Sequence, residues 1–248
     1  MIIIKNNLEI DLMRKAGRLL AETLLRVEDS VKPGITTAEL DKIAEDYIVK
    51  HGGKPSFKGL YGFPAAACIS VNEQVIHGFP GKYVLQDGDL ISIDCGVCLN
   101  GYQSDAARTF MVGNVSDEAK RLVAVTKESF FKGIEFAKPG NRLSDISNAI
   151  QTYVEGNGFS VVRDDVGHGI GRDVHEDPDI PNYGRAGRCP ILQEGMTLAI
   201  EPMVNVGTHK VMTLDDEWTV VTAVKKLSAH YENTVAILTN GPEILTLV

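Results

Sequence analysis

Apolar residues recur every three or four positions along two stretches near the start of the chain. In the first stretch they fall at Ile10, Met13, Ala16, Leu20, Leu24 and Val27. This spacing predicts an amphipathic helix over residues 8–27, followed by the turn residues Lys32-Pro33-Gly34. Thr36 and Glu39 have the spacing of a capping box, and a second apolar stripe runs from there to Gly52. The chain is therefore predicted to begin with two helices joined by a turn.

The same order of elements returns in the second half of the chain. Ser116 can cap a third helix that ends in Lys138-Pro139-Gly140. A fourth helical stripe follows, with apolar residues at Ile146, Ile150, Tyr153 and Val154, and ends at Gly158. At an offset of 106, Lys32, Pro33, Gly34, Tyr47 and Gly52 meet the identical residues Lys138, Pro139, Gly140, Tyr153 and Gly158. At an offset of 107, residues 85–94 align with residues 192–201. These matches predict one domain, residues 1–248, built from duplicated halves of about 1–113 and 114–248.

Strand-like segments flank the dipeptide Asn100-Gly101, which is a strong signal for a two-residue hairpin turn. In that register Asp94 faces Ala107, and Asp105 lies diagonal to Asp94 on the same face. Two carboxylates on a largely apolar strand repel each other and lose hydration, so a compensating charge is expected. A divalent metal ion is the simplest candidate; two acids on a solvated face are the alternative.

The repeat gives Asp94 a counterpart in Glu201, because both end the aligned segments. By the same logic Glu232, at the start of the last predicted strand, is the counterpart of Asp105. His168 stands between two glycines, which let the backbone approach a site while the imidazole points into it. A loop histidine bonded to the backbone is the alternative. Four carboxylates and an imidazole suit two divalent ions such as Co, Mn, Fe or Zn, and such a pair is typical of hydrolysis.

Other patterns exclude several classes of function. A dinucleotide-binding loop at Gly167–Arg172 needs a different glycine spacing and a following helix, whereas Pro178 and Pro181 come next. Cys95 and Cys98 point to opposite faces of a strand and cannot share a metal ion. A net charge of -8 argues against binding to nucleic acid or an anionic membrane. The short apolar run Ile2–Ile4 is too brief for a signal peptide or a membrane span, so a cytoplasmic location is expected.

Several short motifs occur along the chain: Ser70-Val71-Asn72-Glu73 with His77-Gly78, Ile93-Asp94 with Ser104-Asp105, Gly167–Gly171 with His175-Glu176, Ile200-Glu201-Pro202, and Glu232-Asn233-Thr234. Together these motifs resemble those of the type I methionine aminopeptidases of the short bacterial form, within the pita-bread metallopeptidase family. The resemblance implies an α+β pita-bread fold, in which pseudo-twofold helix-helix-strand halves form a curved antiparallel sheet covered by helices.

The resemblance also implies roles for the metal-site residues. Asp94 would chelate one ion, His168 and Glu201 the other, and Asp105 and Glu232 would bridge the two. Glu201 would in addition take a proton from the attacking water and pass it to the leaving amine.

Beyond the metal site, the resemblance implies that His77 and His175 contact the scissile peptide, with His175 steadying the developing oxyanion. A methionine pocket is implied at Leu60, Phe63, Cys68 and Trp218, although Phe63 and Trp218 could also be plain core residues. Related enzymes generally have aromatic residues at the positions of Leu60 and Val174. Both changes remove ring surface, so a wider pocket and an altered substrate range are expected.

The leading hypothesis is removal of the initiator methionine from nascent polypeptides by a monomeric enzyme, with ribosome association an open possibility. One alternative is an Xaa-Pro aminopeptidase or dipeptidase of the same fold; those relatives generally carry an additional N-terminal domain, whereas the first repeat here begins at about residue 8. Another is a catalytically inert pita-bread binding protein, which would be expected to lack ligands.

Overall fold

The computed structural model describes residues 1–247, in which helices and short strands alternate in two blocks. The α-helices are α1 (Asn7–Glu28), α2 (Thr37–Lys50), α3 (Asp117–Ile134) and α4 (Leu143–Gly156), and residues Leu60–Gly62 form a 3-10 helix. The strands of the first block are β1 (Lys54–Pro55), β2 (Ala67–Val71), β3 (Gln74–Ile76), β4 (Leu90–Leu99) and β5 (Tyr102–Met111). Those of the second block are β6 (Ser160–Val161), β7 (Gly167–Gly169), β8 (Glu176–Ile180), β9 (Thr197–Ile200), β10 (Met203–Asn205), β11 (Val211–Thr213), β12 (Val220–Thr222), β13 (Ser228–His230), β14 (Asn233–Leu238) and β15 (Gly241–Ile244).

The four predicted helices are confirmed, and so are the two predicted capping residues, Thr36 and Ser116. Thr36 accepts a hydrogen bond from the backbone N–H of Glu39, whose carboxylate accepts one from the N–H of Thr36, so the capping box before α2 is complete. The Ser116 side chain caps α3 by accepting from the N–H of Ala119. None of the helices in residues 1–247 combines the length and the apolar character that a membrane span needs.

The β4–β5 hairpin has the predicted register. Asp94 pairs with Ala107, and Asp105 pairs with Gly96, two residues along β4 from Asp94. Strand β4 also pairs with β2 and with β1, all antiparallel. Its residues from Leu90 to Ile93 are buried, and Ile91 and Ile93 belong to one apolar cluster with residues of α1 and α2. The hairpin is therefore held rigidly where it carries the two aspartates.

The second block forms a five-stranded sheet in the order β15-β14-β9-β7-β8. Asn233 pairs with Ile200, so Glu232 and Glu201 lie one position beyond this pair, at the same end of β14 and β9. His168 on β7 pairs with Ala199 of β9. Residues 167–180 form two strands without a following helix, which excludes the dinucleotide-binding loop.

The two blocks repeat each other's turns as well as their sequence. The N–H of Gly34 donates to the carbonyl of Leu85 at 2.9 Å, and the N–H of Gly140 donates to that of Leu192 at 3.0 Å. Both glycines have left-handed φ angles, 94° and 93°, which explains why the turn after each first helix uses glycine. The domain boundary near residue 113 stays a prediction, but the repeated geometry supports it.

Hydrogen bonds between the two blocks fix where their strand ends meet. The N–H of Glu232 donates to the carbonyl of Ala107 at 3.0 Å, and the N–H of Asp105 donates to the Thr234 hydroxyl at 2.9 Å. The carboxylate-bearing ends of the β4–β5 hairpin and of β9 and β14 therefore face one another.

Candidate metal centre and adjoining cavity

All five predicted ligand residues line one cavity of about 250 Å³ at the junction of the two blocks. They are Asp94 on β4, Asp105 on β5, His168 on β7, Glu201 after β9 and Glu232 before β14. Nε2 of His168 lies 3.7 Å from a Glu201 carboxylate oxygen and 3.9 Å from one of Asp105. Ligand atoms of Asp105, His168 and Glu232 all lie within 4.8 Å of one another. Each of the two sequence halves thus supplies two carboxylates, as the repeat predicts.

The carboxylates lie in an environment that disfavours their charge. Burial, followed by the charge of nearby Glu201, raises the pKa of Asp94 to about 7, although the charge of His230 opposes the rise. Burial and repulsion from neighbouring carboxylates raise the pKa values of Asp105 and Glu232 well above their usual range. For Glu201 the causes of the raised pKa are burial and the charge of Asp165. A cation at the centre of the cluster would remove the repulsion and favour the ionised forms.

The donor set fits the divalent ions that the sequence predicts. One carboxylate oxygen of Asp94 and one of Asp105 are buried without any hydrogen-bond partner, which is costly unless another group binds them. Burial lowers the pKa of His168 to about 4, so its imidazole is neutral near pH 7 and can donate a lone pair. Its Nδ1 lies 2.9 Å from the backbone carbonyl of Gly169, which leaves Nε2 facing the carboxylates. These features together support a site for metal ions of the carboxylate and imidazole type.

His77 and His175, the two predicted substrate contacts, line the same cavity. The His175 ring lies 4.5 Å from the His168 ring, and the His77 ring meets Trp218 edge to face at 6.3 Å. Burial lowers the pKa of His77 to about 4 and lowers that of His175 as well. Both imidazoles are therefore neutral near pH 7 and can each donate one hydrogen bond to a bound molecule.

The other end of the cavity is apolar and contains all four predicted pocket residues, Leu60, Phe63, Cys68 and Trp218. The Phe63 and Trp218 rings lie 5.3 Å apart between centroids. Burial raises the pKa of the Cys68 thiol well above its usual range, so this wall is uncharged. The cavity thus joins a polar, ligand-rich end to a soft apolar end.

Two aromatic residues that the sequence predictions did not include also line the cavity, Phe57 and Tyr61. The Tyr61 ring stacks on His175 with centroids 5.8 Å apart. A Cβ at Gly96 would lie only 2.9 Å from Cε1 of Phe57, so the Phe57 ring packs directly on the hairpin backbone beside the aspartates. These two rings add aromatic surface to a cavity in which Leu60 and Val174 supply none. A glycine in the middle of β4, two residues after Asp94, was the sequence signal for this close approach.

His230 is a further residue that sequence reasoning missed. Its Nε2 lies 3.5 Å from a Glu201 oxygen and 4.0 Å from a Glu232 oxygen, and neither ring nitrogen has a hydrogen-bond partner. The alternation of side chains along an extended segment puts His230 and Glu232 on the same face, which was the available signal. His230 therefore lies close enough to the Glu201 and Glu232 carboxylates to interact with both.

Comparisons with known proteins identify relatives of this chain. The model of metallopeptidase family M24 matches residues 11–239. The chain is 73% identical to the methionine aminopeptidase of Clostridium perfringens and 57% identical to methionine aminopeptidase 1 of Bacillus subtilis, with all of each chain covered. The crystal structure of methionine aminopeptidase from Rickettsia prowazekii superposes with a TM-score of 0.98 at 44% identity, with both chains fully covered.

A more distant structural neighbour is the prolidase from Pyrococcus furiosus. It superposes with a TM-score of 0.82 at 25% identity, and the alignment covers 99% of this chain but 66% of the prolidase. Together with the methionine aminopeptidase structures, this likeness confirms the predicted α+β pita-bread fold. Because the family match spans most of the sequence and the relatives are similar over their whole length, this chain belongs to metallopeptidase family M24.

Proposed function

We propose that this chain hydrolyses the peptide bond after an N-terminal methionine. The observation that carries the proposal is one cavity in which a cluster of four carboxylates and an imidazole adjoins an apolar pocket. An aminopeptidase needs both parts, since the first side chain must be held while the bond that follows it is cleaved. The pocket's thiol and aromatic walls suit a thioether, which makes favourable contacts with aromatic rings. Relatives named methionine aminopeptidase support the same substrate.

Asp94, Asp105, His168, Glu201 and Glu232 would hold two divalent metal ions, with Asp105 and Glu232 shared between them. Ions bound there lower the pKa of water and polarise a carbonyl oxygen, which is the chemistry that peptide hydrolysis requires. The donor types accept Co, Mn, Fe or Zn, and several of these are expected to support activity.

The remaining polar residues would handle the substrate and its protons. His175 and His77, both neutral near pH 7, would donate hydrogen bonds to the scissile peptide, with His175 placed to steady the oxyanion. The Glu201 carboxylate would accept a proton from water and pass it to the leaving amine.

The substrates would be the N-termini of nascent polypeptides. The enzyme would act as a monomer in the cytoplasm, where some substrates would still be bound to the ribosome. The net charge of -8 disfavours binding to nucleic acid.

A peptide panel tests the proposed substrate directly. Purified protein, loaded in turn with Mn, Co, Fe or Zn, is assayed on Met-Ala and Met-Gly peptides, on Leu-Ala peptides and on Xaa-Pro peptides. We expect cleavage of the methionyl peptides alone. Cleavage before proline would favour the prolidase-like alternative, and no cleavage with any metal would favour an inert binding protein.

Two substitutions separate metal ligands from substrate contacts. Glu232→Ala removes a proposed shared ligand, so both the bound metal and the activity should fall. His175→Ala should lower kcat by about 10² to 10³-fold, the usual effect of a lost oxyanion donor, with the metal content unchanged. Metal content is measured by elemental analysis after dialysis. Loss of metal from the His175 variant would move this residue into the ligand set, and full activity of the Glu232 variant would refute the dinuclear assignment.

A further inference from the structure

A buried ion pair joins the segment before α1 to the start of β8, next to the loop that ends at His175. Lys5 forms this pair with Glu176, and their side chains are only 3% and 4% exposed. The Lys5 backbone N–H also donates to the carbonyl of Gly195 at 2.8 Å, in the turn that leads into β9. Lys5 is thereby fixed by its backbone on one side and by its charge on the other.

Glu176 uses both of its carboxylate oxygens. One oxygen accepts from Lys5, and the other accepts from the backbone N–H of Arg172 at 2.9 Å and lies 3.5 Å from that of Asp173. The two peptide groups belong to the loop that ends at His175. The carboxylate therefore joins the loop to β8, and Lys5 fixes the carboxylate.

A glycine in the neighbouring loop, Gly171, leaves space for the ion pair. A Cβ at Gly171 would lie 2.5 Å from a Glu176 oxygen and even closer to Cε of Lys5, so a larger residue there would force the two side chains to shift. Gln103 of the β4–β5 hairpin donates its backbone N–H to the Gly171 carbonyl at 2.8 Å. The loop is therefore held between the N-terminal segment and the strand that carries Asp105.

We propose that the Lys5–Glu176 pair is a positioning device for His175. It rests on the proposed function, in which His175 touches the scissile peptide. His175 immediately precedes Glu176 in the chain, and Gly169 pairs with Glu176 across β7 and β8, so the position of Glu176 sets where the imidazole enters the cavity. A displacement of about 1 Å at such a group can lower the rate by about 10²-fold. Lys5 would thus contribute to turnover without touching the substrate.

The test compares Lys5→Met, Glu176→Gln and the double variant, all loaded with metal. Lys5→Met leaves a buried carboxylate unpaired and should lower the Tm sharply. The double variant removes both charges and keeps an amide oxygen for the loop N–H groups, so it should regain most of the Tm. We expect its kcat on a Met-Ala peptide to stay about tenfold below wild type, with KM and metal content nearly unchanged. Lys42→Met, which breaks an exposed pair with Asp46, is the matched control and should behave as wild type.

A double-mutant cycle with His175→Ala distinguishes positioning from a general structural effect. If the pair acts through His175, adding Lys5→Met and Glu176→Gln to His175→Ala should cause no further loss of kcat. A full additional loss, or a double variant with wild-type kcat, would overturn the proposal. Either result is distinct from failure of the proposed function, which would appear as a wild-type enzyme inactive on every methionyl peptide.

Discussion

Phe57 shows how one side chain can shape the proposed substrate pocket of this chain. Its ring packs on the Gly96 backbone, two residues along β4 from Asp94, and lines the cavity together with Leu60 and Trp218. A Cβ on Gly96 would lie 2.7 Å from Cβ of Ser56 and 2.9 Å from the Phe57 ring. Residues 57 and 96 therefore depend on each other: the ring can occupy this place because β4 has a glycine there.

Phe57→Ala should weaken the selection of methionine. Removing the ring leaves a larger pocket, and one to three kcal/mol of apolar contact corresponds to about tenfold or more in kcat/KM. We expect kcat/KM for Met-Ala to fall about tenfold, while the ratio of Phe-Ala to Met-Ala cleavage rises. Competition assays with mixed peptides measure both the kcat/KM for Met-Ala and the ratio of Phe-Ala to Met-Ala cleavage. Phe136→Ala, which removes an exposed ring outside the cavity, is the control, and an unchanged ratio in the Phe57 variant would contradict this role.

At the scale of the elements, local signals were sufficient for the helices and the central hairpin. Caps such as Thr36 and Ser116 act within one turn of their helices, and Asn100-Gly101 fixes the β4–β5 register by itself. A one-residue slip would have moved one aspartate to the wrong face. The confirmed register is thus a direct consequence of the turn.

Other elements depend on contacts between residues far apart in the chain, and sequence patterns did not reveal them. The loop of residues 57–63 carries no periodicity, and Tyr61 adopts a left-handed φ of 50°, so its stacking on His175 could not be anticipated. The position of Lys5 depends on the glycines at 171 and 195, more than 160 residues away. Loop conformation and the N-terminal contact are settled by packing, for which a single sequence offers only scattered glycines as signals.

At the scale of the whole molecule, the duplication brings four buried acids to one place, and this has a consequence for stability. Each acid is protonated more readily in the folded metal-free protein than in the unfolded chain, because burial raises its pKa. The buried histidines act in the opposite direction below about pH 6.5, since burial lowers the pKa values of His77, His168 and His230 to about 4. At pH 6.5 a histidine of the unfolded chain is still half protonated, but above about pH 7.5 the histidines are essentially neutral in both states, and only the acids still contribute.

The metal-free protein should therefore lose stability as the pH rises from about 7.5 to 8.5. Over this interval the folded state binds more protons than the unfolded state, and the free energy of unfolding then decreases with pH. Divalent metal binds the ionised carboxylates, so its stabilising effect should grow over the same interval and cancel the loss. Thermal unfolding followed by circular dichroism, with chelator or with Mn, measures both trends. Glu232→Gln replaces one buried acid by an amide and should flatten the decline of the metal-free Tm. A metal-free Tm that rises from about pH 7.5 to 8.5 would show that the acids of the cluster are already ionised without metal.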